Sequence, residues 1–537
     1  MSSEWYCQRG GTRLGPFSIE QMRQAYLQGQ LHDYEPVWTP GMETWLPVSA
    51  VRERFQFVDA PSSQLNFTNM HSRAIPAIKP GSRTPPLEMH DRILRALFVA
   101  LAVGLAWGIR GSFGHILGAM YPGAVLGLGF AYVSGQDALL RRMPLIAAVS
   151  AVGIGLGGNM SYGLLHGYAQ ADTFVNSTFG MLMLFLCGGA WGFFGSAAVG
   201  LLLERDRATV IDWAGGVAIS LGFGLISWLI LHQMIGFDVN PGRSNSLITF
   251  VGGVLGLTGW LMYRKRFRAL RAGLLGFAGF GIGMAGGRLL ANAARNMETM
   301  FQINHWNVME VTAGAVGGFV FVFGMLGRQY PDHSKNGGVT AGQALSAAFV
   351  LGMIPLLHRL TRVTARRIDE WNADLLKHGS SWDGENIAAA LTVIAACALV
   401  AAAVWLYLIW AERDRMAWYP VMALTVIMLV FQNFFARYFF TPAQPNFVDM
   451  HNFYWFALVV MAAYVGWREY RGGHTGDGEH EEAPEPVGWI PICAVMLVGL
   501  LVCLAGAAVV NGEHTMKNAE TRWPIWSFRD GPFPGSQ

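Results

Sequence analysis

Arg110 and Arg288 each follow glycines inside a long apolar run, as Gly108-Ile109-Arg110 and Gly286-Gly287-Arg288. A third run carries Gly157-Gly158-Asn159, with Ser161 and His166 beyond it. A charge near a bilayer centre costs about 2.5–3.5 kcal/mol on insertion scales, so such residues mark a functional site unless they only pair. Guanidinium groups suit carboxylate and phosphate. Imidazole takes and gives protons near neutral pH. Glycines let backbone approach a ligand, or interrupt a helix so that free amides meet an anion. Arg110, His115, Asn159, His166, Arg288, Asn292 and Glu310 therefore read as the lining of a site for a small anionic solute. Asn159 and Tyr162 fall on adjacent helical turns, as do Arg288 and Asn292, so each pair is expected on one face. The competing reading is structural: Arg110 pairs with Glu310 to hold hairpins together, and His115, His166, Arg295 and Glu298 anchor span ends.

The segments that position these residues are apolar and long. Of 537 residues, 53% are hydrophobic and 14% charged, against about 25% charged in ordinary soluble domains. Runs of 17 or more apolar residues recur from about Leu94 to Val510, each able to cross about 30 Å of hydrocarbon as a helix. The fold class is mainly α, a polytopic helical membrane protein with 12–13 spans. Expected spans are 92–110, 115–133, 143–165, 178–203, 212–235, 246–263, 269–291 and 306–326, then 387–411, 417–440, 451–467 and 488–510. Segment 340–358 either crosses, giving thirteen, or re-enters, giving twelve. Gly123/Gly127, Gly188/Gly192, Gly252/Gly256 and Gly314/Gly318 recur at intervals of 65, 64 and 62 residues. Gly-x-x-x-Gly lets helix backbones approach closely, and the interval points to repeated helical hairpins.

Basic residues follow every second early span: Arg141 and Arg142, Arg205 and Arg207, Arg264 to Arg271, then Arg328 and Lys335. The positive-inside rule places these loops and the N-terminus in the cytoplasm, with the chain integral to the cytoplasmic (inner) membrane and the lipid bilayer as its partner. The candidate polar residues then lie toward the outer leaflet. The basic runs are short and abut spans, which argues against nucleic acid. Five cysteines show no metal-ligand spacing, and no metal or cofactor is expected. The 468–487 loop with His474, His480, Glu481 and Glu482 reads as solvated. Arg437, Asp449 and His451 are further acid–base candidates. No phosphate-binding loop, His-Glu-x-x-His or Gly-x-Ser-x-Gly motif is present.

Residues 4 to about 58 read as a small α+β module. Trp5-Tyr6 starts a strand, Gly10-Gly11 marks a turn, and Ser18 with Gln21 has capping-box spacing for a helix from Ile19 to about Gln28. Val37-Trp38 and Trp45-Leu46 read as a closing hairpin. With Gly15-Pro16-Phe17, Met22, Gly29, Gly41-Met42 and Pro47, this pattern resembles the bacterial GYF-like domain, GYF domain 2, over about a tenth of the chain. The resemblance implies an adaptor whose aromatic surface, here Trp5, Tyr6, Phe17 and Met22, takes a proline-containing peptide or protein. Ala25 stands where the eukaryotic signature has Trp, and Gly29-Gln30-Leu31 where it has Gly-Tyr-Phe. The same aromatics also read as core, since small domains need large side chains to bury enough area.

The expected division is 1–60 (GYF-like cytoplasmic domain), 61–90 (Pro/Ser-rich linker), 91–328 (four hairpins), 329–511 (further spans) and 512–537 (tail). Transport of a small anionic solute is the favoured function. The alternatives are a membrane-embedded enzyme with an outward-facing polar site, and a scaffold or sensor recruiting partners through the N-terminal module.

Overall fold

The computed structural model describes residues 4–51 and 87–511, apart from 10–11, 28–30, 32–34, 41, 43, 172, 241–242, 297–303, 332–338, 412–415, 441–449 and 472–487. Residues 61–86 of the expected 61–90 linker, the Gly10-Gly11 turn, the His474–Glu482 loop, Glu298, Asp449 and the His451 side chain lie outside the described residues. The chain forms two compact units, Met1–Ser82 and Arg83–Gln537.

In the first unit, β1 (Trp5–Arg9), β2 (Thr12–Phe17), β3 (Pro36–Trp38) and β4 (Leu46–Pro47) form an antiparallel sheet in the order β2-β1-β3-β4. Helix α1 (Ile19–Leu27) starts at the expected capping box: the Ser18 amide donates to Gln21 Oε1 at 2.7 Å, and the Gln21 amide donates to Ser18 Oγ at 3.2 Å. The closing hairpin pairs Val37 with Leu46, and the short α2 (Val48–Val51) follows. Trp5, Cys7, Met22, Leu31, Val37, Val48 and Val51 make the core.

The second unit is helical. Its elements are α3 (Met89–Arg110), α4 (Ile116–Ser134), α5 (Asp137–Arg141), α6 (Met143–Gly157), α7 (Gly163–Ala169), α8 (Phe174–Leu202) and α9 (Val210–Trp228). Then come α10 (Ser246–Tyr263), α11 (Phe267–Asn296), α12 (His305–Met325), α13 (Ala341–Ala347), α14 (Ile354–Arg362) and α15 (Ala365–Lys377). The last four are α16 (Gly384–Trp410), α17 (Tyr419–Phe435), α18 (Met450–Tyr470) and α19 (Trp489–Val510). Among the described residues ten helical segments are long and apolar enough to cross a membrane, and α6 and α17 are shorter apolar helices. The protein is a mainly α polytopic membrane protein with a small α+β N-terminus.

The segment left open between spanning and re-entry runs the full height of the bundle. A wide π-helical turn, Ala348–Met353, joins α13 to α14. At one end Gln343 Nε2 donates to the Arg141 carbonyl at 2.6 Å, and at the other Arg362 Nε donates to the Ser112 carbonyl at 3.1 Å. Arg141 and Ser112 lie at opposite ends of α4, so the α13–α14 segment runs antiparallel to α4, from its Arg141 end to its Arg110 end. Arg359, Arg362, Arg366 and Arg367 consequently sit at the Arg110 end. There Glu370 pairs Arg366 and Arg367 at 3.1 and 2.8 Å, and Thr392 accepts from Arg359 at 2.8 Å.

The four glycine pairs do serve close helix contact, but with different partners. A Cβ on Gly127 would lie 2.7 Å from the Ala147 Cα of α6, and one on Gly192 2.4 Å from the Gly276 carbonyl oxygen of α11. Gly252 and Gly256 face α9, and Gly314 and Gly318 face α3. The sequence interval is thus regular while the packing it produces is not. Expected span 143–165 also divides, because α6 stops at Gly157 and α7 is a separate short helix. Asn159 and Tyr162 therefore do not share a helical face.

Candidate functional site

Glycine decides how the Arg110 end is built. Helix α6 ends at Gly157-Gly158, where added Cβ atoms would lie 2.1 Å from the Trp191 ring and 2.2 Å from the His115 carbonyl oxygen. Only glycine lets this break approach so near, and the break swings Tyr162 under the end of α3. There Arg110 Nη2 donates to Tyr162 Oη at 2.8 Å and to Glu310 Oε1 at 3.1 Å. Arg110 and Glu310 are both buried. The guanidinium lies 4.8 Å from the Trp191 ring and 5.3 Å from the Trp107 ring, within cation–π range.

Arginine can only donate. The Tyr162 hydroxyl accepts from Arg110 and so has its own proton free for His115 Nδ1, 3.2 Å away. Partial burial, then the charges of Arg110 and Arg362, hold the His115 imidazole below its ordinary value and keep it a neutral acceptor. Arg110, Tyr162 and His115 thus form a directed hydrogen-bond chain from a buried cation to an exposed imidazole.

His166 completes the cluster. It is 2% exposed, with its ring 5.4 Å from the Tyr162 ring and 5.0 Å from the Trp306 ring. Among the described residues neither His166 nitrogen has a hydrogen-bond partner, and neither do Nε and Nη1 of Arg110. Buried polar groups left in this way cost about 1–3 kcal/mol each, so they need an explanation. A ligand that accepts hydrogen bonds supplies one. Toward the Arg110 end the cluster is bounded by exposed Gly111, His115 and Trp306. In the other direction Trp107 lies 5.3 Å from Trp191 and 5.1 Å from Phe280, and this buried aromatic layer floors the site.

Arg288 and Asn292 form a second network. Arg288 Nε donates to Asn292 Oδ1 at 2.6 Å, the expected shared face, and Nη2 donates to Gln170 Oε1 at 3.2 Å. Arg295 also donates to Gln170. Asn292 Nδ2 donates to Asn511 Oδ1 at 2.6 Å, while Asn511 Nδ2 donates to the Ala169 and Ala171 carbonyls at 3.0 and 3.1 Å. Arg288 Nε and Nη2 and both polar atoms of the Asn292 amide have protein partners, so these two residues clamp α7 and α11 to the end of α19. Helix α7 belongs to both networks, through His166 and through Ala169. Asn159 joins neither: it is exposed, and its amide donates to the Leu156 carbonyl at 2.9 Å. Arg437 pairs with Asp374 at 2.9 Å instead. Of the seven expected site residues, four therefore meet, two brace a neighbouring network and one lies apart.

Tyr162 and Trp306 were not among the expected site residues. A tyrosine just past a glycine break is a weak signal, and an aromatic at a span end reads first as an interface anchor. Gln170 and Asn511 were missed because each is one polar residue flanking an apolar run.

In the N-terminal unit Trp5 and Met22 are core residues, at 2% exposure each. Tyr6 and Phe17 are half-buried. Tyr6 stands 5.8 Å from Trp38, and Trp38 stands 6.3 Å from Trp45, giving an aromatic row on that surface. Trp5→Ala is expected to destabilise the module by about 3–5 kcal/mol, whereas Tyr6→Ala leaves it folded. Limited proteolysis of the full chain distinguishes the two, since only the Trp5 variant should be cleaved early within residues 5–53.

Residues 5–53 match the family GYF domain 2, and the N-terminal unit is a GYF-like domain. No curated protein matches the chain, and no solved structure matches it. Among the described residues no group of three or more His, Cys, Asp or Glu is placed to hold a metal ion.

Proposed function

We propose that the membrane unit is a transporter that binds a small anionic solute at Arg110 and His166, while the GYF-like domain docks a proline-containing protein. The observation that carries this reading is the buried Arg110 guanidinium. Glu310 and Tyr162 occupy one of its nitrogens, and two others point at no acceptor. A carboxylate or phosphate oxygen fits those donors, with His166 beside them. Arg362 at the site's rim adds positive potential that favours anion entry. By the positive-inside reading this rim faces away from the cytoplasm, and the aromatic floor closes the path behind it. That is the arrangement of a carrier open or occluded toward one side.

A second reading has a specific observation behind it. The Arg110–Tyr162–His115 chain ends on a solvent-facing imidazole, an arrangement that can move a proton to or from a bound substrate. Proteoliposomes separate the two readings. Transport predicts uptake of an unaltered anion, reduced at least tenfold by Tyr162→Phe, whereas an enzyme releases a chemically changed product without accumulation inside. Failure of phosphate, sulfate and simple mono- and dicarboxylates both to accumulate and to react would remove this site assignment.

A further inference from the structure

Helix α9 is attached to the molecule mainly through α10, and only 11% of its most apolar window is buried inside the protein. Between this hairpin and helices α6 and α8 lies a cavity of about 510 Å³, within the ~300–1,000 Å³ of ordinary ligand pockets. Its body is apolar, lined by residues such as Val152, Leu156, Phe194, Leu221 and Phe250. The rim residues Val217 and Leu221 are 60% and 67% exposed, so the cavity opens where the bilayer would lie.

One end is different. Asp212 lines the cavity and is fixed in the first turn of α9 by a capping box with Thr209. Its carboxylate accepts from Arg264 Nε at 2.8 Å and from Arg266 Nη2 at 2.6 Å. The Arg264 side chain is 31% exposed, and its other two nitrogens have no partner among the described residues. Exposed Lys265 lies between these arginines in the chain. Arg266 Nη1 also donates to the Asp206 carbonyl at 3.0 Å, which brings the 204–207 loop to this corner; in sequence, that loop and residues 264–266 carry five cations against the three carboxylates Glu204, Asp206 and Asp212. An apolar slot open to lipid, ending at a corner with net positive charge, matches an amphiphile with an anionic head.

We propose that this cavity is a binding site for one anionic phospholipid. One acyl chain lies in the slot, the second follows the exposed face of α9, and the phosphate meets Arg264 and Lys265. The occupant is a bilayer lipid because the opening faces the bilayer. It is anionic because the excess charge at the corner is positive. The cavity shares α6 and α8 with the Arg110 site, but none of that cluster's residues line it, and the proposal does not depend on the transport reading.

Native mass spectrometry of the full chain in neutral detergent tests this, using dioleoyl phosphatidylglycerol, dioleoyl phosphatidylcholine and oleate as probes. The expected result is one phosphatidylglycerol retained at least tenfold more strongly than phosphatidylcholine. Arg264→Gln with Lys265→Asn should abolish that preference while leaving weak binding of both lipids. Ala198→Phe, which fills the slot, should abolish retention of both. A melting temperature within a few degrees of wild type, in each variant, keeps misfolding from imitating either effect. Equal retention of the two phospholipids by the wild type, retention of oleate alone, or phosphatidylglycerol binding unchanged by Ala198→Phe would overturn the proposal.

Discussion

Glu310→Ala is expected to destabilise the membrane unit by about 3–5 kcal/mol, the cost of leaving a buried charge without its partner. Arg110 is fully buried, and its remaining contacts are the Tyr162 hydroxyl and neutral aromatic faces. The paired change Arg110→Met with Glu310→Leu removes both charges together. Such replacements of buried pairs by apolar residues are neutral or stabilising by up to about 4 kcal/mol. The double variant should therefore melt at or above the wild-type temperature in detergent, and it should bind no anion. That combination separates a ligand site from a brace. If the pair only held α3 to α12, the stable double variant would lose nothing measurable in solute binding.

The second large effect concerns packing. Gly192→Leu should prevent accumulation of folded protein, because a Cβ there would lie 2.4 Å from a backbone oxygen of α11. The contact is with a carbonyl rather than a flexible side chain, so the helices themselves must part. The penalty is at or above the ~3 kcal/mol upper range of overpacking. Gly259→Leu on α10 is the control. Nothing lies within 4 Å of its Cβ, and leucine is the better helix former by about 1 kcal/mol. Yield of monodisperse protein on size exclusion should drop to background for the first variant and stay at the wild-type level for the second.

Much of the architecture was readable from residue types. Runs of apolar residues long enough to span leave helix as the only economical backbone solution in lipid, and the Ser18/Gln21 box located α1 to within one residue. The glycine pairs correctly marked close helix contacts. Their partners were not readable, because small residues specify that a neighbour comes near without specifying which one. The same limit applied at the site. Arg110, Glu310, His115 and His166 were recognisable because buried charge and imidazole are costly in apolar runs. Arg288 looked equivalent in sequence, yet Asn292, Gln170 and Asn511 satisfy its surroundings from three separate places in the chain. Nothing local to Arg288 shows that closure. Asn159 was misplaced for a definite reason: the Gly157-Gly158 pair ends α6, so helical periodicity could not be carried through to Tyr162.

A stability titration of purified wild-type protein and the Arg110→Met/Glu310→Leu variant, against phosphate, sulfate, acetate and succinate, tests the ligand site most directly. The site described here predicts that at least one anion raises the wild-type melting temperature in a saturable way and leaves the double variant unmoved. Equal shifts in both proteins, or no shift in the wild type with any of the four, would contradict it.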